Sequence, residues 1–239
     1  MLTGVCPDSH APWHDTDEFE AWIRKQRPKR LVLLGDHLDF HAITEHPRNR
    51  KWADRLDYEL KVGRRWLQNL RTVAGNAEIT YICGNHERRL DRAIDKHLPA
   101  LRNINHMSVP AVLGLGDLGI KWHDAAKEKK GVKIPCGQGK TVHAFHGDEL
   151  KGKHKNSSPL NFCLAFGQNV HLGHSHRMSL EHTVIGGKEL FAVEGGYLGK
   201  PKAPAFTYAG PAPKNWQRGW CVYDAESTRS PYPTFHRCA

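Results

Sequence analysis

Five times along this chain a short apolar run breaks off at a turn and is followed at once by Asp, Asn or His. That repetition limits the folds open to it more than any other feature. LTGVC (2–6) leads to Asp8 and His10, and LVLLG (31–35) to Asp36 and Asp39. AEITYIC (77–83) leads through Gly84 to Asn85, His86 and Glu87. TVHAF (141–145) leads to His146, and NVHLG (169–173) to His174 and His176. Apolar runs of this length suit strands of a sheet covered on both faces.

Amphipathic stretches separate the first runs. Residues 16–27 carry Phe19, Trp22 and Ile23 on one helical face, and residues 50–71 repeat Trp52, Leu56, Leu60, Leu67 and Leu70 at multiples of three and four. A third helix is predicted over 88–97. Strand and helix in alternation predict a layered α/β fold with right-handed crossovers. Further on, 157–166 reads as a short helix, 181–196 as a hairpin turning at Gly186-Gly187-Lys188, and 219–226 as a last strand. The polar, glycine-punctuated segment 121–155 reads as a flap-like excursion from a single domain spanning 1–239, and the Pro- and Lys-rich 197–218 as another loop. The tail after 226 shows no clear period.

In a mostly parallel sheet the C-terminal ends of the strands share one edge, so the five polar clusters converge there. Gly35, Gly84 and Gly173 then serve as sharp exits where a side chain would crowd the centre. Carboxylates, imidazoles and one amide oxygen form a mixed nitrogen and oxygen set suited to borderline divalent ions, Mn²⁺ first, with Zn²⁺, Fe²⁺ or Ni²⁺ as alternatives. The chain has 17 histidines, which fits such use. There are enough ligands for two ions. Two ions roughly 3.5–4 Å apart clamp a phosphoryl group and hold a bridging hydroxide for in-line attack. The residues thus predict a two-metal hydrolase of phosphate esters.

A formal net charge of +10 suggests an anionic partner, a phosphorylated substrate with DNA or RNA among the candidates. Lys121 to Lys155 hold nine lysines against four acids, half of that charge, and could steer a polyanion or form a solvated lid. The six cysteines include no CxxC pair and sit mostly among apolar residues, which predicts free thiols in a reducing compartment. No apolar run approaches the roughly 20 residues of a membrane span. The expected location is therefore cytoplasmic, with no membrane and no obligate protein partner.

Taken in order, Asp8-Ser-His10, Gly35-Asp36-His-Leu-Asp39, Gly84-Asn85-His86-Glu87, His146-Gly147 and Gly173-His174-Ser-His176 resemble the calcineurin-like metallophosphoesterase superfamily. With PDSHAPWHD, ICGNHERRL and NWQRGW, the chain is most similar to its compact phage- and prophage-encoded members. The resemblance implies a four-layered αββα sandwich. It implies that Asp8, His10 and His176 hold one metal, that Asp36 bridges, and that Asn85, His146 and His174 complete the second. His86 would stand beside the scissile phosphate as general acid or oriented donor, Asp39 would hold His86, and Glu87 would support the loop. Phe40 stands where the Ser/Thr protein phosphatases of this superfamily carry an arginine, which argues against that activity.

Several assignments carry alternatives. Asp39 could instead cap a turn. Arg88 and Arg89 either grip substrate phosphate or pair with acids such as Asp91 and Asp95. His37, His41, His46 and His106 are assigned to loop or surface, His143 and His171 to packing or exposure, and His123 and His154 to the flap. Trp122 and Trp216 could stack on a base, packing being the commoner use. For function, a phosphodiesterase or nuclease leads. The alternatives are a phosphomonoesterase acting on nucleotides or polynucleotide ends, and a non-catalytic metal-stabilised nucleic-acid-binding module.

Overall fold

Alternate residues of the central strands face two different cores. In β1 (Leu2–Cys6), Val5 points into one and Cys6 into the other; in β2 (Arg30–Leu33), Val32 opposes Leu31 and Leu33; in β3 (Glu78–Ile82), Ile82 opposes Ile79 and Tyr81. Both faces are covered, which is why these strands are apolar throughout. The computed structural model describes residues 1–45, 55–150, 158–201, 203 and 215–238, except the side chain at 105.

The first sheet has the order β11-β10-β1-β2-β3-β4, adding β4 (Ile120–His123), β10 (Gly219–Asp224) and β11 (Thr234–Arg237). β1 to β4 run parallel, while β10 and β11 each pair antiparallel to their neighbour. One face carries the helices α1 (Asp17–Gln26), α2 (Leu56–Ala74), α3 (Arg88–His97) and α4 (Val109–Leu113). Phe19, Ile23, Trp66, Leu67, Leu70, Leu90 and Ile94 pack there on Leu31, Leu33, Ile79 and Tyr81.

The second sheet has the order β5-β6-β7-β9-β8: β5 (Val132–Pro135), β6 (Thr141–Phe145), β7 (Val170–Leu172), β8 (Met178–Ile185) and β9 (Lys188–Gly195). Its residues Val142, Ala144, Val170 and Val193 share a core with Val5, Val32, Leu34 and Ile82. After the short α5 (Ala125–Glu128) comes α6 (Leu160–Phe166), whose Phe162 and Phe166 rings meet Phe145. Helices, sheet, sheet and helix make the four layers of an αββα sandwich.

Several elements correct the reading of the sequence. Residues 121–145 are not an excursion: β4 closes one side of the first sheet, and the chain then crosses to begin the second as β5 and β6. Edge strands this short, with exposed Lys121 and Lys133, carry too little apolar signal to be read as strands. Residues 151–157, with His154, lie outside the described residues. The tail forms β11, where His236 stacks flat on Trp220 with centroids 5.0 Å apart. Helix α2 begins at Leu56; Trp52 and His46 fall outside the described residues, as does most of the 197–218 loop.

Candidate metal centre

The five loops meet, though not on the edge of one sheet: three leave the first sheet after β1, β2 and β3, and two leave the second after β6 and β7. Ser9 and His10 N–H donate to the Asp36 carbonyl, Gly173 N–H donates to the His146 carbonyl, and His174 N–H donates to both Asp8 oxygens at 3.0 and 3.1 Å. Glycines permit this crowding. A Cβ on Gly84 would run into Asp36, and one on Gly173 into Asp8. His10, Asp36, Phe40, His174 and His176 all have φ between 50° and 63°. Non-glycine residues adopt this left-handed region at a cost of about 1–3 kcal/mol each, concentrated at functional sites.

Two triads of metal-ligand type result, buried except for the half-buried His174. In the first, His176 Nε2 lies 3.2 Å from Asp8 Oδ2 and 3.1 Å from His10 Nε2. In the second, Asp36 and His146 are joined by His174, with His146 Nε2 3.3 Å from Asp36 Oδ2 and 2.9 Å from Asn85 Oδ1. The donor set fits a pair of divalent ions. His10 Nδ1 donates to Asp39 Oδ2 at 3.1 Å and His146 Nδ1 to the Leu34 carbonyl at 2.9 Å, so each ring turns an Nε2 lone pair inward. Packing two such lone pairs and carboxylate oxygens at these distances suits a cation between them. A third grouping, His10, Asp39 and His86, links the first triad to the ring beside it.

Charge in the site follows from this packing. Burial works to raise the Asp8 carboxyl, but His176 and His146 hold it down at about 2. Burial likewise opposes ionisation of Asp36, and His146 and His86 hold it well below the usual carboxylate range. His86 is pushed down to about 4 by burial, over the opposing pull of Asp36 and Asp39.

His86 occupies a defined place. Its main-chain N–H donates to Asp36 Oδ1 at 2.8 Å, its ring Nδ1 lies 2.8 Å from the Asp39 carbonyl, and its Nε2 stands 3.6 Å from Asp36 Oδ2. Asp39 therefore holds His86 mainly through its main-chain oxygen. Its carboxylate is 3.7 Å from His86 Nδ1 but closer to His10. The expected Asp39–His86 contact exists, with a different atom making it.

Glu87 supports more than its own loop. Its carboxylate takes N–H bonds from Asp36, His37, Leu38 and Gly84 at 2.8–3.2 Å and the Tyr81 hydroxyl at 2.7 Å. Two glutamates that the sequence reading missed do the same elsewhere. Glu59 accepts from His41 and Ala42 N–H, and Glu149 from His146 and Gly147 N–H. A signal existed for Glu59. It lies on the buried face of α2 with Gly63, Trp66 and Leu70, a place for an acid only when it has buried donors to meet.

The arginine pair divides. Arg88 is a correction: its guanidinium forks onto Asp148 at 2.8 and 2.9 Å and lies 3.5 Å from Asp124, so its charge is spent inside the protein. Asp91 and Asp95 pair instead with Lys127 and Arg102. Arg89 turns to the site, donating to the Asp39 carbonyl at 2.7 Å and to His86 Nε2 at 3.0 Å.

His37 and His41 are not surface residues. Burial leaves His37 fully enclosed, bonded to Ser9 Oγ and packed on Tyr81 and Trp66, while His41 Nδ1 lies 3.8 Å from Asp39 Oδ1. His171 is packed as expected, bonded to the Tyr223 hydroxyl. Trp122 packs on Tyr81. Trp216 stands edge-on to His176, ring centroids 4.2 Å apart.

No family model matches the chain. The two-sheet αββα fold recurs in solved structures. A metallophosphoesterase from Sphaerobacter thermophilus aligns over 100% of this chain and 88% of its own, with a TM-score of 0.50 and 15% identity. In sequence, the chain is similar to the Gene 54 protein of Mycobacterium phage L5, 27% identical over 229 residues, covering 91% of this chain and 86% of the phage protein. The Gene 54 protein of Mycobacterium phage D29 is 25% identical over 227 residues, covering 90% and 86%. Among the described residues no helix is long and apolar enough to cross a membrane.

Proposed function

We propose that the chain is a dinuclear-metal phosphoesterase, a hydrolase that favours phosphodiester or nucleic-acid substrates. The observation that carries this reading is the pair of neighbouring triads, with Asp36 of the second in contact distance of His146 Nε2 and of His86 Nε2. Asp8, His10 and His176 would hold one ion, Asn85, His146 and His174 the other, and Asp36 both. Bound there, the ions supply charge for the phosphoryl oxygens and an activated water. Mn²⁺ is the first candidate for this donor set.

The chain's own groups then set the geometry. His86 and Arg89 would meet the reacting phosphate beside Asp36, and Glu87, Glu59 and Glu149 hold the loops through main-chain N–H groups. In the reaction an ester P–O bond breaks and a P–O bond to the water oxygen forms, while the leaving oxygen takes a proton. The net charge of +10 supports a polyanionic substrate.

A panel tests this: a chromogenic phosphodiester, a phosphomonoester and labelled single- and double-stranded DNA, each with Mn²⁺, Zn²⁺, Ni²⁺ or Mg²⁺. Turnover of diester or DNA with at least one metal is expected. Turnover of the monoester alone would replace the substrate class with the phosphomonoesterase. Metal-induced stabilisation without any turnover would make the chain a binding module.

A further inference from the structure

We infer that Arg89, held by His86, is the residue that donates to the substrate's leaving oxygen, and that His86 serves as its positioning partner. This rests on the phosphoesterase reading above. Two contacts define the state of the His86 ring. Nδ1 faces a carbonyl, which only accepts, at 2.8 Å, so Nδ1 carries the hydrogen. Nε2 faces an Arg89 NH2 group, which only donates, at 3.0 Å, so Nε2 is the acceptor. In this arrangement the ring has no N–H to offer at its inward corner. The donor at that corner is the guanidinium.

Arg89 is built for the task. It sits in the first turn of α3, where the helix dipole disfavours a cation. It is nonetheless kept there, with its side chain 12% exposed. One amino group is fixed on the Asp39 carbonyl and the other on His86, and Asp39 Oδ1 lies 3.5 Å away. A guanidinium has five N–H donors in one plane, so N–H groups remain to reach a phosphate oxygen while these bonds persist. Phe40 follows Asp39, so no arginine arrives from that loop, and Arg88 is locked on Asp148. Arg89 transfers no proton. As the ester bond breaks, its N–H groups stabilise the negative charge that gathers on the leaving oxygen, which takes its proton from water.

The test uses the metal-loaded full chain, with metal content per chain measured throughout. Arg89→Ala should keep its metals, bind inorganic phosphate at least about tenfold more weakly by calorimetry, and lose about 10²–10³ in kcat on a chromogenic diester. Arg89→Lys should not rescue, because one ammonium cannot span the Asp39 carbonyl, His86 and the phosphate. His86→Gln offers an amide oxygen as acceptor and should stay within about tenfold of wild type, whereas His86→Ala should fall nearly as far as Arg89→Ala. The double alanine variant should be no slower than Arg89→Ala alone.

Unchanged phosphate affinity in Arg89→Ala overturns the assignment. So does a His86→Gln variant as slow as His86→Ala, or losses that multiply in the double variant. Arg89-dependent phosphate binding in a wild-type protein that hydrolyses no ester would keep Arg89 as a phosphate-binding residue, but would remove the phosphoesterase reading and with it the leaving-oxygen role.

Discussion

Glu87 collects four main-chain N–H bonds and a tyrosine hydroxyl on one carboxylate, and through them ties the exit of β2 to the exit of β3. Glu87→Gln turns one acceptor into a donor facing N–H groups. It should cost roughly 2–4 kcal/mol, because buried donors lose their partners. Thermal unfolding would register this as a Tm several degrees lower, with metal content reduced. A Tm within one degree of wild type would remove Glu87 from this bracing role. The residues that meet in the triads were legible in the sequence because Asp and His directly after apolar runs are brought together by the strand ends. The bracing of the loops by Glu59 and Glu149 was not, because a glutamate reads as surface until the backbone that meets it is placed. The same holds for Arg88, whose partner Asp148 lies 60 residues away.

At the scale of elements, the strands buried on both faces and the amphipathic helices were readable, as in β1, β2, β3, α1 and α3. The edges were not. β4 and β5 are four residues each and β11 lies in a tail without periodicity, and strands like these gain their order from a neighbour's ladder. A contact between sheets supplies a pH test. His171 on β7 bonds the Tyr223 hydroxyl on β10, and burial pushes its pKa down to about 3. Unfolded, the same ring titrates near 6.5, so between these values the unfolded chain binds the extra proton. Its contribution is present in full above pH 6.5 and is lost as pH falls toward 3. Denaturant unfolding of His171→Gln across pH 7 to 4 should show a shallower loss than wild type, and an unchanged slope would show that His171 is not the titrating group.

For the whole molecule, three carboxylates and five imidazoles crowd together where strands of both sheets end, an arrangement that bound cations would stabilise. Mn²⁺ at about 100 times its Kd should stabilise the fold by about 2.7 kcal/mol per ion, and chelation should reverse it. The net charge of +10 has its own consequence. If DNA is the substrate, affinity should fall steeply between 50 and 200 mM salt, by about 10³ or more where six or more phosphates are contacted. A salt-independent Kd would point to a small phosphodiester instead.

The most direct measurement titrates Mn²⁺ into the metal-free chain while bound ions and hydrolysis of a chromogenic diester are followed together. Two ions should bind per chain, turnover should rise only as the second fills, and Asp36→Ala should weaken both ions and abolish turnover. Full activity with one ion per chain, or two ions bound without hydrolysis of any phosphate ester, would contradict a dinuclear phosphoesterase.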